Sequence, residues 1–248
     1  MLLSDAIRRK GSRTSSVFAS LRPGSVSEIR DQLQRLSSED LARLQDELNA
    51  MDDLVATKYA TMTRLYHGAP RSITDRIRTQ GFKRVKGRRS GFLGATWEVD
   101  NLAIFLAEEK RLASAFGGNR VDRPGEVAET LEVFADIHHP LDMTVWAKVP
   151  KPLRVIGERL VGARYGTKRV TQGDMYWLID QPEFVDAVKA QGYDAVRFLE
   201  SADTVKSLGM ARKGEVTVAV FEPSRLHIAP PARGTLASLM WHLDQRIR

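Results

Sequence analysis

The chain has 248 residues, 42% of them hydrophobic, which suits one large domain or a medium domain with appendages and excludes wholesale disorder. It contains no cysteine, so disulfides, thiolate metal sites and a cysteine nucleophile are excluded. The net charge of +7 favours acidic partners such as nucleic acid or phosphate-bearing ligands, and no apolar run approaches the ~18 residues of a membrane span, which reads as a soluble protein.

Residues 1–25 form a basic arm, with Arg8, Arg9, Lys10, Arg13 and Arg22 against the single acid Asp5, closing on Pro23-Gly24. Such a serine-rich stretch has the composition of an organelle transit peptide, and equally of an arm that binds nucleic acid or docks on a protein partner. Residues 26–60 read as amphipathic helices. Ser25-Val26-Ser27-Glu28 has the capping-box spacing of a helix start, with Ile29, Leu33 and Leu36 following on one face. Ser37-Ser38-Glu39-Asp40 restarts a second helix, on which Leu41, Leu44, Leu48, Met51 and Val55 make one apolar stripe. The stripe suits packing within the chain, or self-association into a larger assembly through residues 1–57.

The rest of the chain is ordered around Arg64-Leu65-Tyr66-His67-Gly68-Ala69-Pro70. Leu65 and Tyr66 read as a buried strand that Gly68-Ala69-Pro70 ends, which puts His67 at a strand exit and opens the Gly68 backbone to close approach by a flat ligand. A short helix over 72–78 stops before Gly81. A basic loop with Lys83, Arg84, Lys86, Arg88 and Arg89 follows, then Gly91-Phe92-Leu93-Gly94. Residues 102–107 read as a strand entering a helix over 108–116, which Gly117-Gly118 ends. Residues 131–137 read as a strand from which His138-His139-Pro140-Leu141 turns out. With no carboxylate or third histidine at ligand spacing, these two histidines read as surface residues, not metal ligands.

Residues 150–173, rich in glycine and cations, read as a surface loop with a short helix. Asp180 reads as the cap of a helix over 182–191, and 193–198 as the next strand. Over 215–221, Val216, Val218 and Val220 alternate with Thr217, Ala219 and Phe221, as a strand requires. Leu236, Leu239, Met240 and Leu243 give an amphipathic helix within 231–248. There is no internal repeat and no Walker-type phosphate loop.

Taken together, a Tyr-His-Gly strand, a helix ending in Gly81-Phe82, an Ile104-Phe105-Leu106-Ala107 strand entering a helix, a His139-Pro140-Leu141 turn, Gly192-Tyr193-Asp194-Ala195-Val196, and Val220-Phe221-Glu222-Pro223 stand in a telling order. The order resembles the ADP-ribosyltransferase fold, in its diphtheria-toxin-like and poly-ADP-ribose-polymerase-like branch with a His-Tyr-Glu triad. It is most similar to the transferase-like domains of phage and mobile-element proteins. The resemblance covers roughly residues 62–229, within a domain expected over 61–230. It implies an α+β domain, a pair of packed antiparallel sheets with flanking helices, preceded by the N-terminal helical segment.

The resemblance also implies roles. His67 would bond the adenosine-side ribose of NAD, taken as substrate, and the backbone of Gly68 would hold the nicotinamide amide. Phe105 takes the family's tyrosine position. Phe116 takes that of the second aromatic, under the nicotinamide, where aromatic faces attract a cationic ring. Ordinary core packing suits both phenylalanines equally well. The family's neighbouring serine aligns with Ala113, one residue short of Ser114. Its glutamate aligns with Thr217; Glu215, two residues earlier on the same strand face, would reach the site only by a shifted register or a bulge. The chain thus reads as His-Phe-Thr, a pattern the resemblance associates with mono-transferases or inactive members.

Two readings follow. One is an NAD-dependent mono-ADP-ribosyltransferase of the bacterial cytoplasm acting on a protein or nucleic-acid acceptor. The other is a structural protein of the phage virion that keeps a degenerate transferase fold as scaffold. An RNA 2′-phosphotransferase, which shares the fold, needs several placed arginines that the sequence does not single out.

Overall fold

A computed structural model describes residues 16–84, 86–90, 96–121, 124–166, 169–210 and 214–246, with the backbone alone at 86–90 and 96–100. Most of the basic arm, including Arg8, Arg9, Lys10 and Arg13, lies outside the described residues, as does Gly91-Phe92-Leu93-Gly94. The chain divides into two units, one of residues 1–61 with 230–248 and one of residues 62–229.

The first unit is helical: α1 (Val17–Ser20), α2 (Val26–Gln34), α3 (Ser38–Tyr59) and, from the far end of the chain, α10 (Leu236–Gln245). The capping box forms: the Ser25 side chain accepts from the Glu28 amide, and the Glu28 carboxylate accepts from the Ser25 amide at 2.7 Å. Ser37 caps α3 by accepting from the Asp40 amide. Leu44, Leu48 and Met51 pack against Val17, Phe18, Leu21 and Ile29 and against Leu239 and Leu243 of α10. The stripe is therefore covered from within the chain, except that Leu41 stays 42% exposed. Glu47 draws in the start of α1, accepting from the amides of Val17 and Phe18 at 3.1 and 2.8 Å, where a helix N-terminus favours an anion.

The second unit is mixed α+β. Strands β1 (Thr63–Pro70), β4 (Ile104–Ala107), β5 (Ala128–Ala135), β6 (Pro140–Asp142), β7 (Ala195–Leu199), β8 (Val216–Val220) and β9 (Leu226–Ile228) form one seven-stranded sheet in the order β6-β7-β8-β4-β1-β5-β9. Strands β2 (Lys86–Ser90) and β3 (Thr96–Asp100) pair as a separate hairpin, so the expected basic loop over 83–90 is strand from Lys86 on. Instead of a pair of antiparallel sheets there is a single ladder, mixed because β6 and β7 run parallel. The ladder is thin at one place. β1 pairs with β5 along its whole length, but with β4 only at Tyr66↔Ala107. Beyond that couple the Phe105 carbonyl takes the His67 imidazole as its partner, Nδ1 to O 3.2 Å.

Both faces of the central strands are buried, which explains why β8 shows no polar side. Ala219 packs with Val196, Phe198 and Phe221 beneath the helices α6 (Lys151–Tyr165), α7 (Met175–Ile179) and α8 (Pro182–Ala190). Val218 and Val220 face the other way, onto Leu65, Leu106, Val133 and Phe82. The remaining helices are α4 (Arg71–Gln80), stopped by Gly81 at φ 72°, α5 (Lys110–Gly118) and α9 (Ala202–Ser207).

Three local expectations are corrected. His67 lies within β1 and not at its exit, because the strand runs on through Gly68 and Ala69 to Pro70, which pairs with Ala128. Most of the expected 150–173 loop is α6; its Leu153, Gly157 and Val161 recur every fourth position and bury one face. At Gly157 a Cβ would come within 2.5 Å of the Trp146 ring, so the glycine there admits an aromatic and does not mark a loop. Asp180 closes α7, and α8 starts instead on Gln181, with Pro182 at its head. His138 and His139 are exposed, as expected.

Candidate functional site

The thin place in the ladder is also where cavities open. The larger, of about 250 Å³, is lined by His67, Phe82, Ile104 and Phe105 from the sheet side, by Ile73, Arg76, Ile77 and Gln80 of α4, and by Lys83, Asn101 and Arg120. The smaller, of about 40 Å³, is lined by Tyr66, His67, Gly68, Phe105, Ala107, Ala113, Phe116, Arg120, Tyr176 and Thr217. His67, Phe105 and Arg120 belong to both, so the two are compartments of one cleft.

His67 divides the compartments. A carbonyl can only accept, so the 3.2 Å bond to Phe105 O fixes the proton on Nδ1 and leaves Nε2 as an acceptor. Its ring meets the Phe82 ring edge-on at 5.5 Å. Burial pushes the imidazole down, the Phe105 carbonyl pulls it up, and the Arg120 cation pushes it down again, to a pKa of about 4. At neutral pH it is an uncharged acceptor.

Gly68 is required by packing. A Cβ there would stand 1.6 Å from the Ala113 carbonyl oxygen, so α5 lies directly on β1. Gly117, one turn along, makes the same approach from the helix side, its Cβ position falling 3.2 Å from Gly68 C. This is a different reason for the glycine from ligand access, although Gly68 does line the smaller compartment. The close approach brings Ala113 and Phe116 of α5 to that compartment as well.

Phe105 stacks obliquely on Tyr176, centroids 5.0 Å apart, and Tyr176 meets Phe198 edge-on at 5.0 Å. Thr217 is 2% exposed and lines the smaller compartment at the third position. Two expected residues stand elsewhere. Glu215 pairs with Arg111 and lines neither compartment. Ser114 is exposed and bonds Thr130 at 2.8 Å, so Ala113 occupies the place beside Phe116.

Sequence reasoning missed three residues. Arg120 follows α5 and reaches both compartments. Tyr176 sits in the apolar run Met175–Ile179, short enough to pass as loop. Glu200 follows β7 directly, is 3% exposed, and accepts from the hydroxyls of Tyr176 and Thr217. An acid at the very end of an apolar strand was the signal for it, the same signal that draws attention to a histidine beside one. Among the described residues no carboxylate lines either compartment, and no group of histidines and acids is placed to hold a metal.

The class defined by these observations is an α+β domain with a cationic, aromatic cleft at a seam in its sheet. No protein-family model matches the chain, and no curated protein matches it either. No helix among the described residues is long and apolar enough to cross a membrane.

Proposed function

We propose that residues 62–229 form an ADP-ribosyltransferase-like domain that binds NAD in this cleft and transfers ADP-ribose to a protein or nucleic-acid acceptor. One observation carries the reading: His67, Gly68, Phe105, Phe116 and Thr217, matched to the family by order in the sequence alone, come from four separate elements to line one cavity.

The chemistry of the lining supports the same ligand. The larger compartment sets Arg76, Lys83 and Arg120 beside the apolar Ile73, Ile77 and Phe82, a surface for a diphosphate joined to a flat base. Neutral His67 offers Nε2 to a ribose hydroxyl. The smaller compartment is aromatic on the Phe105, Tyr176 and Phe116 sides, which suits a cationic nicotinamide ring. At about 40 Å³ it has room for one or two waters, so a ring enters only as the lining side chains turn aside. Transfer would proceed by departure of nicotinamide, with its bonding electron pair, from the ribose carbon, and capture of the resulting cation by an acceptor nucleophile.

The experiment is titration of the full chain with NAD by calorimetry, coupled to an assay of nicotinamide release. Saturable binding with release supports the transferase. A chain that neither binds NAD nor consumes it with any acceptor is a scaffold, the second reading, which the lack of a carboxylate among the described lining residues favours.

A further inference from the structure

Glu200 has an arrangement that packing does not explain. Its Oε1 accepts from the Tyr176 hydroxyl at 2.5 Å and from the Thr217 hydroxyl. Among the described residues no donor reaches its Oε2, although that atom is buried too. Leaving such an acceptor unmet is unfavourable, and an apolar side chain of the same size would avoid it.

What the carboxylate secures is direction. A hydroxyl has one proton, and those of Tyr176 and Thr217 both point at Glu200 Oε1. Each oxygen is then left with only lone pairs for its other neighbours. Tyr176 and Thr217 line the smaller compartment, and Glu200 stands behind them. The Tyr176 and Thr217 side of the wall accepts hydrogen bonds with the Glu200 charge behind it, and among the described residues no carboxylate touches the cavity, which Arg120 lines as well. The strand register accounts for the placement. Phe198 pairs with Thr217 and Leu199 with Val216, and the Glu200 amide donates to the Glu215 carbonyl at 2.8 Å.

We infer that Glu200 is a positioning residue that acts through Thr217 and Tyr176, turning their lone pairs toward a sugar hydroxyl of a ligand whose neighbouring carbon becomes cationic. This rests on the NAD reading and deepens it: the acid that β8 lacks at Thr217 is supplied from behind, by the adjoining strand. Burial raises the Glu200 pKa and the two hydroxyls oppose the rise, with the net direction upward. Protonation removes the charge behind the hydroxyls, so the rate should fall on the acid side of the pH profile.

The test uses the full chain with NAD as probe, and reads affinity by calorimetry and nicotinamide release over about pH 5 to 8. Glu200→Gln should lower kcat about 100-fold, leave KM within about twofold, and abolish the acid limb. Thr217→Val, which keeps Glu200 and nearly the same volume, should reproduce the loss and is the variant to read if Glu200→Gln fails to fold. Thr217→Ser, which keeps the hydroxyl, should fall no more than about threefold. Unaltered protein that releases nicotinamide, together with a Glu200→Gln or Thr217→Val variant of equal kcat and unchanged pH profile, overturns this role and leaves the proposed function standing. Unaltered protein that does not bind NAD overturns both.

Discussion

The Nδ1–H of His67 donates to the carbonyl oxygen of Phe105, 3.2 Å away, on the one flank of β1 where strand pairing has given out. The imidazole thus completes the ladder and faces the cleft as well, and only the acceptor role of Nε2 requires it uncharged. Its pKa of about 4 lies below the ordinary 6.5, so as pH falls the unfolded chain takes up its proton first. Stability present at pH 7 is therefore lost progressively from about pH 6.5 to about pH 4, by at most about 3 kcal/mol. His67→Gln should flatten that part of the profile in urea unfolding at pH 7 and pH 5. An unchanged slope would place the titration elsewhere.

Gly68→Ala should be among the most damaging single-methyl additions in the second unit, because the new Cβ lands 1.6 Å from the Ala113 carbonyl oxygen and backbone cannot turn aside. A loss of about 3 kcal/mol or more in denaturant midpoint analysis is expected. Gly118→Ala is the control. Nothing lies within 4 Å of its Cβ position, and alanine there should gain about 0.5–1 kcal/mol by helix propensity. If both variants melt alike, the tight crossing of α5 on β1 is wrong.

Asp52 holds the first unit at its centre. It accepts from Ser238 Oγ at 2.6 Å, His242 Nε2 at 2.8 Å and the Gly234 amide at 2.9 Å. Burial raises the carboxyl, but these three bonds outweigh it and hold the pKa below the usual range. Asp52→Ala should cost about 3 kcal/mol or more, since the buried Ser238 and His242 donors and the Gly234 amide lose their partner together. Calorimetric melting of the variant should lose stability in the first unit while the far-ultraviolet strand signal persists.

Charge at the larger compartment is testable apart from catalysis. Arg76 and Lys83 are exposed on the surface that lines it, and Lys83 donates to the neutral Gln80 side chain at 3.1 Å. The double variant Arg76→Ala with Lys83→Ala should weaken NAD about tenfold at low salt, and less at high salt, with melting temperature unchanged. Equal affinity at both ionic strengths would show that the diphosphate does not lie there.

Much of this was legible in the sequence, for reasons that differ by element. The capping box at Ser25, the Ser37 cap and the stripe Leu44, Leu48, Met51 are local signals, and they hold because helix starts depend on residues three apart. The continuation of β1 through Gly68 to Pro70 was not legible, since glycine and proline are turn residues until a partner strand pairs with them. The length of α6 was hidden for a related reason: Gly157 looks like a breaker unless Trp146 is known to lie on it. At the cleft, order in the sequence found His67, Phe105, Phe116 and Thr217. It could not find Glu200, whose meaning depends wholly on the hydroxyls of two residues distant in the chain.

The first unit is assembled from two stretches that the whole of the second separates, α3 emerging before residue 62 and α10 after residue 229. On the ribosome the stripe of Leu44, Leu48 and Met51 lacks Leu239 and Leu243 until synthesis has passed the whole of the second unit, and Asp52 is without Ser238 and His242 for as long. The sheet, whose last strand ends at Ile228, has all its members by then. The helical unit therefore closes only after the sheet has all its strands, and α10 acts as its latch. A chain cut short at residue 229 would carry a finished cleft and, in its other unit, an apolar helix with nowhere to dock, the state that quality-control machinery is built to find.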